Sequence, residues 1–444
     1  MEQDDVKFRG TSRHSRTASR LGGVSANLFA KCLLLCWIFV GLFVTVAAMQ
    51  HPQELSFPPY ANQEAVRDLA ASQNNFTRDL YMKLAAGGSG NLFFSPFSIM
   101  TALGMTYAGA GGNTEQEMRS VMHLGEDKEA THRAFQDVVS DLKAEVADYE
   151  LRTSNMAYVS GRLAVLSEFD NILREKYLSS SKTVDFGKSE EVRQEINTAV
   201  EKETNSRIKD LIPAGMLNSL TRMVLVNAIY FKGFWANQFK KEATRDEDFW
   251  TSSTKNVKVP MMHMKKKFRL FHFRDLGATA LAMDYKGSRL SMVFVLPDER
   301  DGLAGVEAKL ATTDLSELDK KLRKAEVEVT IPRFKLEETL KLKGKLQEMG
   351  MKDLFDERSA DLSGISGKKD LFVSNVVHKA FLEVNEEGSE AAAATAGITF
   401  MVTSILISRP LQFVADHPFL FFIKDIRSGL ILFSGRLTVP SQGN

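Results

Sequence analysis

The chain has 444 residues, 44% hydrophobic and 25% charged, with a formal net charge of +1 at pH 7; it can bury roughly 75% of its unfolded surface, and nothing in its charge balance predicts nucleic acid as a partner. The first 48 residues hold six bases against three acids, so the remainder carries a net −2. Length alone suggests about three domains, but no Gly/Ser-rich or Pro-rich linker interrupts residues 69–440, and a single domain over 69–444 is expected.

Residues 1–31 form a basic polar segment (Arg9, Arg13, Arg16, Arg20, Lys31), and Cys32 to Ala48 is an unbroken apolar run. This is a membrane-targeting pattern. Val46 and Ala48 place small residues where signal peptidase cuts, which gives a secreted, extracellular protein. The alternative is an uncleaved type II signal anchor through 32–48, because the run approaches bilayer-spanning length and its basic flank would stay cytoplasmic. Both cysteines, Cys32 and Cys36, lie inside this run. The exported part would have no disulfide, so its stability must come from its core. Asn75-Phe76-Thr77 makes Asn75 a candidate glycosylation site.

Residues 49–68, with Pro52, Pro58 and Pro59, read as a flexible lead-in. From Leu69 a helical period takes over through Leu84 and ends at the glycines of 87–90. Asn91 to Phe94 reads as a short strand, and Ser95-Pro96 opens a small-residue helix through Tyr107. Further helices are expected at Glu115–Met122, Ala130–Ala147, Ser167–Lys176 and Ser189–Thr204. Strands are expected at Met223–Phe231, Ala278–Tyr285, Leu290–Leu296, Glu326–Ile331, Phe372–Asn385, Phe413–Ala415, Phe419–Asp425 and Leu430–Val439. Helices gathered ahead of strands indicate an α+β class.

Glu386 to Arg409 stands apart: after Glu390 no charge and no proline occurs until Arg409. Alanine propensity makes the tract from Ala391 a helix with Ser389 as its cap. Small, uncharged, proline-free residues equally suit a segment that slips between two strands of a packed sheet. A membrane span over Ala391–Ser408 is disfavoured by Gly397, Thr399, Thr403 and Ser404. No His-Glu-x-x-His, Gly-x-Ser-x-Gly, phosphate loop or Cys/His metal spacing occurs, so no catalytic residue, metal or cofactor is expected.

The segments NLFFSPFSIMTALGM (Asn91 to Met105), LVNAIYFKGFW (Leu225 to Trp235), LSMVFVLPDE (Leu290 to Glu299), VHKAFLEVNEEGSEAAAATA (Val377 to Ala396) and ADHPFLFFIKD (Ala415 to Asp425) resemble the serpin superfamily in this order. The resemblance runs almost continuously from Leu69 to Pro440 and points to the inhibitory type, with a secreted arthropod member as the expected setting. It implies three β-sheets with surrounding helices and an exposed reactive loop, here about 386–416. Such a loop is cut by a target serine protease and inserted into the main sheet as a new strand, trapping the acylated protease. Glu387, Gly388, Ser389, Glu390 and Ala391, Ala392, Ala393 and Ala394 match the small-residue hinge. Family spacing from Gly388 puts the reactive bond at Val402-Thr403, suiting an elastase-like pocket; Phe400, Met401 and Leu406 are chymotrypsin-like alternatives and Arg409 the basic one.

The resemblance also makes Ser95, Ser98, Asn227 and His378 a polar shutter beneath the opening sheet, and Trp235 the tryptophan where insertion begins. Ser95 reads equally as a helix cap, and His378 and Trp235 equally as core residues. Two basic clusters, Lys265, Lys266, Lys267 with Arg269, and Lys320, Lys321, Arg323 with Lys324, read as solvated faces; the second is also a candidate for sulfated glycosaminoglycan, as in some members. A monomer is expected. The rival function is a non-inhibitory carrier, storage protein or chaperone, which usually has bulky or charged hinges.

Overall fold

The computed structural model describes residues 57–144, 148–313, 315–387 and 410–441, without the side chains of 316 and 317. In chain order its elements are α1 (Gln63–Ala85), β1 (Leu92–Phe94), α2 (Pro96–Ala108), α3 (Gly112–Val121), α4 (Lys128–Lys143), β2 (Tyr149–Ser160), α5 (Ser167–Tyr177), β3 (Ser180–Val184), α6 (Ser189–Glu203), β4 (Met223–Gly233), β5 (Arg245–Trp250), β6 (Asn256–Phe273), β7 (Ala278–Asp284) and β8 (Leu290–Pro297). They continue as α7 (Leu303–Leu310), α8 (Leu315–Lys321), β9 (Arg323–Pro332), β10 (Phe334–Lys341), α9 (Lys343–Met349), α10 (Ser363–Ser366), β11 (Asn375–Val384), β12 (Leu411–Val414), β13 (Phe419–Asp425) and β14 (Ile431–Leu437). All belong to the unit that begins at Pro59.

Five strands form the main sheet in the order β10-β11-β4-β2-β3. β10 with β11 and β2 with β4 are antiparallel, but the central neighbours β11 and β4 run parallel, in register from Asn375 opposite Val224 to Leu382 opposite Phe231. β4 reads as a continuous apolar run because it is buried on both faces, as central strands covered by helices must be. One face carries α6 (Val192, Ile196, Val200) and the return segment with Ile208, Leu211 and Ile212. The other faces the large core that also holds α2 and the second sheet.

The second sheet runs β1-β14-β13-β8-β7-β6-β9-β12, with β5 also on β6. The 18-residue β6 joins two layers: its first third pairs with β5, its middle with β9, and its end with β7. The second and third sheets expected are thus continuous through one long strand.

Boundaries differ in two informative places. α1 starts at Gln63, inside the expected lead-in, because Val66 is already buried and Tyr60 is stapled down by its hydroxyl on Asp141 (2.7 Å) with the Arg427 guanidinium 4.1 Å from its ring centroid. At the other end, residues 411–414 of the expected loop are strand β12, paired in parallel with β9. Gly233 is required where it stands, since a Cβ there would lie 2.3 Å from the Tyr285 ring.

Candidate functional site

The four shutter residues read from the sequence come together in the interior, around the junction of β4, β11 and the start of α2. His378 on β11 lies opposite Asn227 on β4. The Ser95 amide donates to His378 Nε2 at 3.0 Å, so that nitrogen holds a lone pair and the proton sits on Nδ1, which donates to Asn227 Oδ1. Asn227 Nδ2 in turn donates to the Ser98 carbonyl (2.9 Å) and to Asn155 Oδ1. Ser95 Oγ donates to the Leu432 carbonyl at 2.6 Å and accepts from the Ser98 amide at 3.1 Å. It is both helix cap and cluster member: Pro96 follows it at the first helical position, where a missing N–H costs nothing.

Ser95, Ser98, Asn227 and His378 are all 0% exposed. Burial pushes the His378 imidazole down to about 3, so it is neutral and free to accept at Nε2. The cluster has a member the sequence reading missed. Asn155 on β2 faces Asn227 in the antiparallel register and accepts from Ser98 Oγ at 3.2 Å. One hydrogen-bonded line, Asn155, Asn227, His378, therefore runs across three neighbouring strands.

At the C-terminal end of β11 a second constellation holds the chain as it leaves the sheet. Trp235 is buried, stacked on Tyr285 with centroids 4.5 Å apart, and its Nε1 donates to the Asn385 carbonyl at 3.0 Å. Glu386 is also buried; Thr244 Oγ1 donates to its carboxylate at 2.6 Å and Arg333 pairs with it. Burial works against ionisation there, but the hydrogen bonds from Arg333 and Thr244 outweigh it and hold the carboxyl below its usual range. Glu387 is bridged by Lys241 at 3.1 Å and by Lys232 of β4 at 3.7 Å. The sequence reading placed Glu387 in the hinge but missed Glu386, Thr244 and Arg333, which meet only in three dimensions.

The hinge from Gly388 to Ala394 and the candidate bonds at Phe400, Met401, Val402, Thr403, Leu406 and Arg409 lie outside the described residues. Asn75 sits in mid-helix on α1, half buried, beside the buried Thr77 whose hydroxyl donates to the Gln73 carbonyl. Lys320 and Lys321 end α8 with Leu318 and Leu322 turned into the core, while Arg323 and Lys324 open β9. Among the described residues no group of three or more His, Cys, Asp or Glu side chains is placed to hold a metal, and no helix is long and apolar enough to cross a membrane.

A family model described as serpin (serine protease inhibitor) matches residues 71–440. The chain belongs to the serpin family. It is 41% identical to the leukocyte elastase inhibitor of Homo sapiens over 84% of this chain and the whole of that protein. It is 42% identical to Iris of Ixodes ricinus over 82% of this chain and 97% of the relative. The crystal structure of Serpin48, described as a highly specific serpin of the insect Tenebrio molitor, superposes with a TM-score of 0.75 at 37% identity, covering 84% of this serpin and 98% of that chain. The fold is the serpin fold, and the serpin's named relatives include inhibitors of a protease rather than enzymes.

Proposed function

We propose that this serpin is a secreted inhibitor that traps a serine protease as a suicide substrate, with Val402-Thr403 as the bait for an elastase-like enzyme and Phe400, Met401 or Leu406 as chymotrypsin-like alternatives. The observation that carries this reading is the parallel pair β4 and β11. A strand folding back from the end of β11 enters antiparallel to both neighbours, so insertion replaces one parallel ladder of eight registered pairs by two antiparallel ladders, which are the stronger kind. At about 0.5–1.5 kcal/mol per added net hydrogen bond, the gain is on the order of 10 kcal/mol, comparable with the stability of a domain. The uncut form is then kinetically trapped, and cleavage releases it. The protease supplies the nucleophile; no residue of this chain acts as acid or base.

The hinge residues Ser389 and Ala391 to Ala394 support fast entry because they are short and uncharged. Export rests on the basic segment and the apolar run of 32–48, a pattern ahead of the 71–440 family match. The name of the human leukocyte elastase inhibitor agrees with the pocket Val402 suits. The test is to mix the protein with elastase-, chymotrypsin- and trypsin-like proteases, look for an SDS-stable complex, and sequence the released C-terminal peptide. Its first residue fixes the reactive bond. Cleavage without a complex would replace this reading by that of a non-inhibitory carrier, storage protein or chaperone.

A further inference from the structure

Asp141, near the end of α4, gathers segments that are far apart in sequence. Its carboxylate accepts from the Tyr60 hydroxyl at 2.7 Å, from Arg289 at 2.6 Å and from Arg427 of the turn between β13 and β14. The Arg289 guanidinium is committed on its other side as well: Nε donates to Asp425, a carboxylate 0% exposed, at 3.1 Å. Tyr60 is itself buried, so the start of the folded chain is clasped onto α4 through a carboxylate that also positions Arg289.

Arg289 ends the turn between β7 and β8, and Tyr285 begins it. The Tyr285 ring is the one stacked on Trp235, and the backbone on either side of that stack is bonded too. The Lys286 amide donates to the Phe234 carbonyl at 2.6 Å and the Ala236 amide to the Asp284 carbonyl at 3.0 Å. The turn has little room to deform. The Tyr285 amide donates to the Leu290 carbonyl at 2.9 Å, and Gly287 and Ser288 are both left-handed, with φ of 73° and 53°. A Cβ on Gly287 would lie 2.3 Å from Asp148 Oδ2, so the connection from α4 to β2 is packed directly against it. Close-packed elements of this kind transmit displacement rather than absorb it. Trp235 in turn donates to the Asn385 carbonyl, where β11 gives way to the reactive segment.

We propose that the β7–β8 turn is a relay from the start of the folded chain to the root of the reactive segment. The Tyr60 clasp holds Arg289, the turn holds Tyr285 against Trp235, and Trp235 holds Asn385. Drawing Tyr60 away from α4 therefore loosens the chain at residues 385–387, and the lead-in becomes a regulatory contact of the uncut protein. The physical content is a coupling free energy between two contacts that share no residue.

The test is hydrogen exchange in the uncut protein, read at the Trp235 indole N–H and at the Glu387 amide, which donates to Asn385 Oδ1 at 2.9 Å. Tyr60→Phe is expected to raise both rates about 2- to 30-fold, the span over which residues between coupled sites modulate one another. Arg289→Ala raises them too, and adding Tyr60→Phe to it gives no further increase, because the relay is already cut; Arg289→Lys takes its place if alanine there prevents folding. Tyr81→Phe is the control: it removes a hydroxyl bonded to Glu307 at 2.5 Å, farther along α1, and should leave both rates as in wild type. Wild-type rates in Tyr60→Phe overturn the proposal. So do equal increases in Tyr60→Phe and Tyr81→Phe, which mean general loosening, and effects of Tyr60→Phe and Arg289→Ala that multiply, which mean independent contacts. No protease enters the measurement, so its failure leaves the inhibitory reading untouched, and failure of that reading leaves the relay standing.

Discussion

His378 and Asn227 face each other across the boundary between β11 and β4, joined by a hydrogen bond from the imidazole Nδ1 to the amide oxygen. Any strand entering the main sheet there must part these two side chains. His378→Ala leaves Asn227 Oδ1 and the Ser95 amide without their partner in a fully buried site, at about 1–3 kcal/mol for each group. The expected outcome is a native state about 2–6 kcal/mol less stable, opening and associating faster on mild heating. Thermal unfolding and native electrophoresis check it; a variant as stable as wild type would refute the shutter role.

The same imidazole makes stability fall with acid. His378 is held down to about 3 and His132 to about 4, both chiefly by burial, with Lys128 adding to the effect at His132. Both titrate near 6.5 once unfolded. Above that pH neither form binds the proton and the contribution is nil; below it the unfolded chain gains protons that the folded chain refuses, so stability is lost as pH falls. Two such groups remove about 2.7 kcal/mol per pH unit between 6.5 and 4. Unfolding free energies from urea titrations should be level from pH 7.5 to about 6.5 and decline at that slope from there to pH 5, and His132→Gln should halve the slope.

Glu386 and Arg333 are the next test. The carboxylate is buried where β11 ends, and Arg333 reaches it from the segment between β9 and β10. A double-mutant cycle with Glu386→Ala and Arg333→Ala should give a coupling of about 1–2 kcal/mol, with each single variant converting faster to inserted or associated forms. Additive effects in the cycle would mean the two side chains stabilise the native sheet independently.

How much of this was legible depended on whether the signal was local. Ser95 could be read as a cap because Ser-Pro opens a helix, whereas His378 stood out only through the resemblance to the serpin family, its strand alone marking it as a core residue. Asn155 could not be read at all: β2 carries Arg152, Thr153, Ser154 and Asn155 in succession, without alternation, and is a strand only because β4 pairs with it along 11 positions. β6 was hidden for the opposite reason, since Lys265, Lys266 and Lys267 interrupt its pattern while β9 across from it supplies the pairing. The contact of Glu386 with Arg333 joins residues 53 apart, and Arg269 lies opposite Lys324 only through the register of β6 on β9. α1 began earlier than its periodicity because Tyr60 and Val66 gain burial from α4 and the core, not from their own sequence neighbours.

Ser389→Arg tests the central mechanism most directly. The main sheet is closed along the β4–β11 boundary: Ala228 of β4 and Ala380 and Leu382 of β11 are 0% exposed. A strand entering between β4 and β11 with arginine near its leading end carries an unpaired charge toward that interior, at a cost of about 3–5 kcal/mol. Since about 1.4 kcal/mol is tenfold in rate, insertion slows by roughly a hundredfold or more while loop cleavage, which happens elsewhere on the segment, keeps its rate. Hydrolysis of the acyl-enzyme then wins. With the protease that wild type traps, the variant should yield the cleaved inhibitor band and free active enzyme in place of the SDS-stable complex, at an unchanged initial rate of cleavage. Undiminished complex formation would show that entry of residue 389 is not part of trapping.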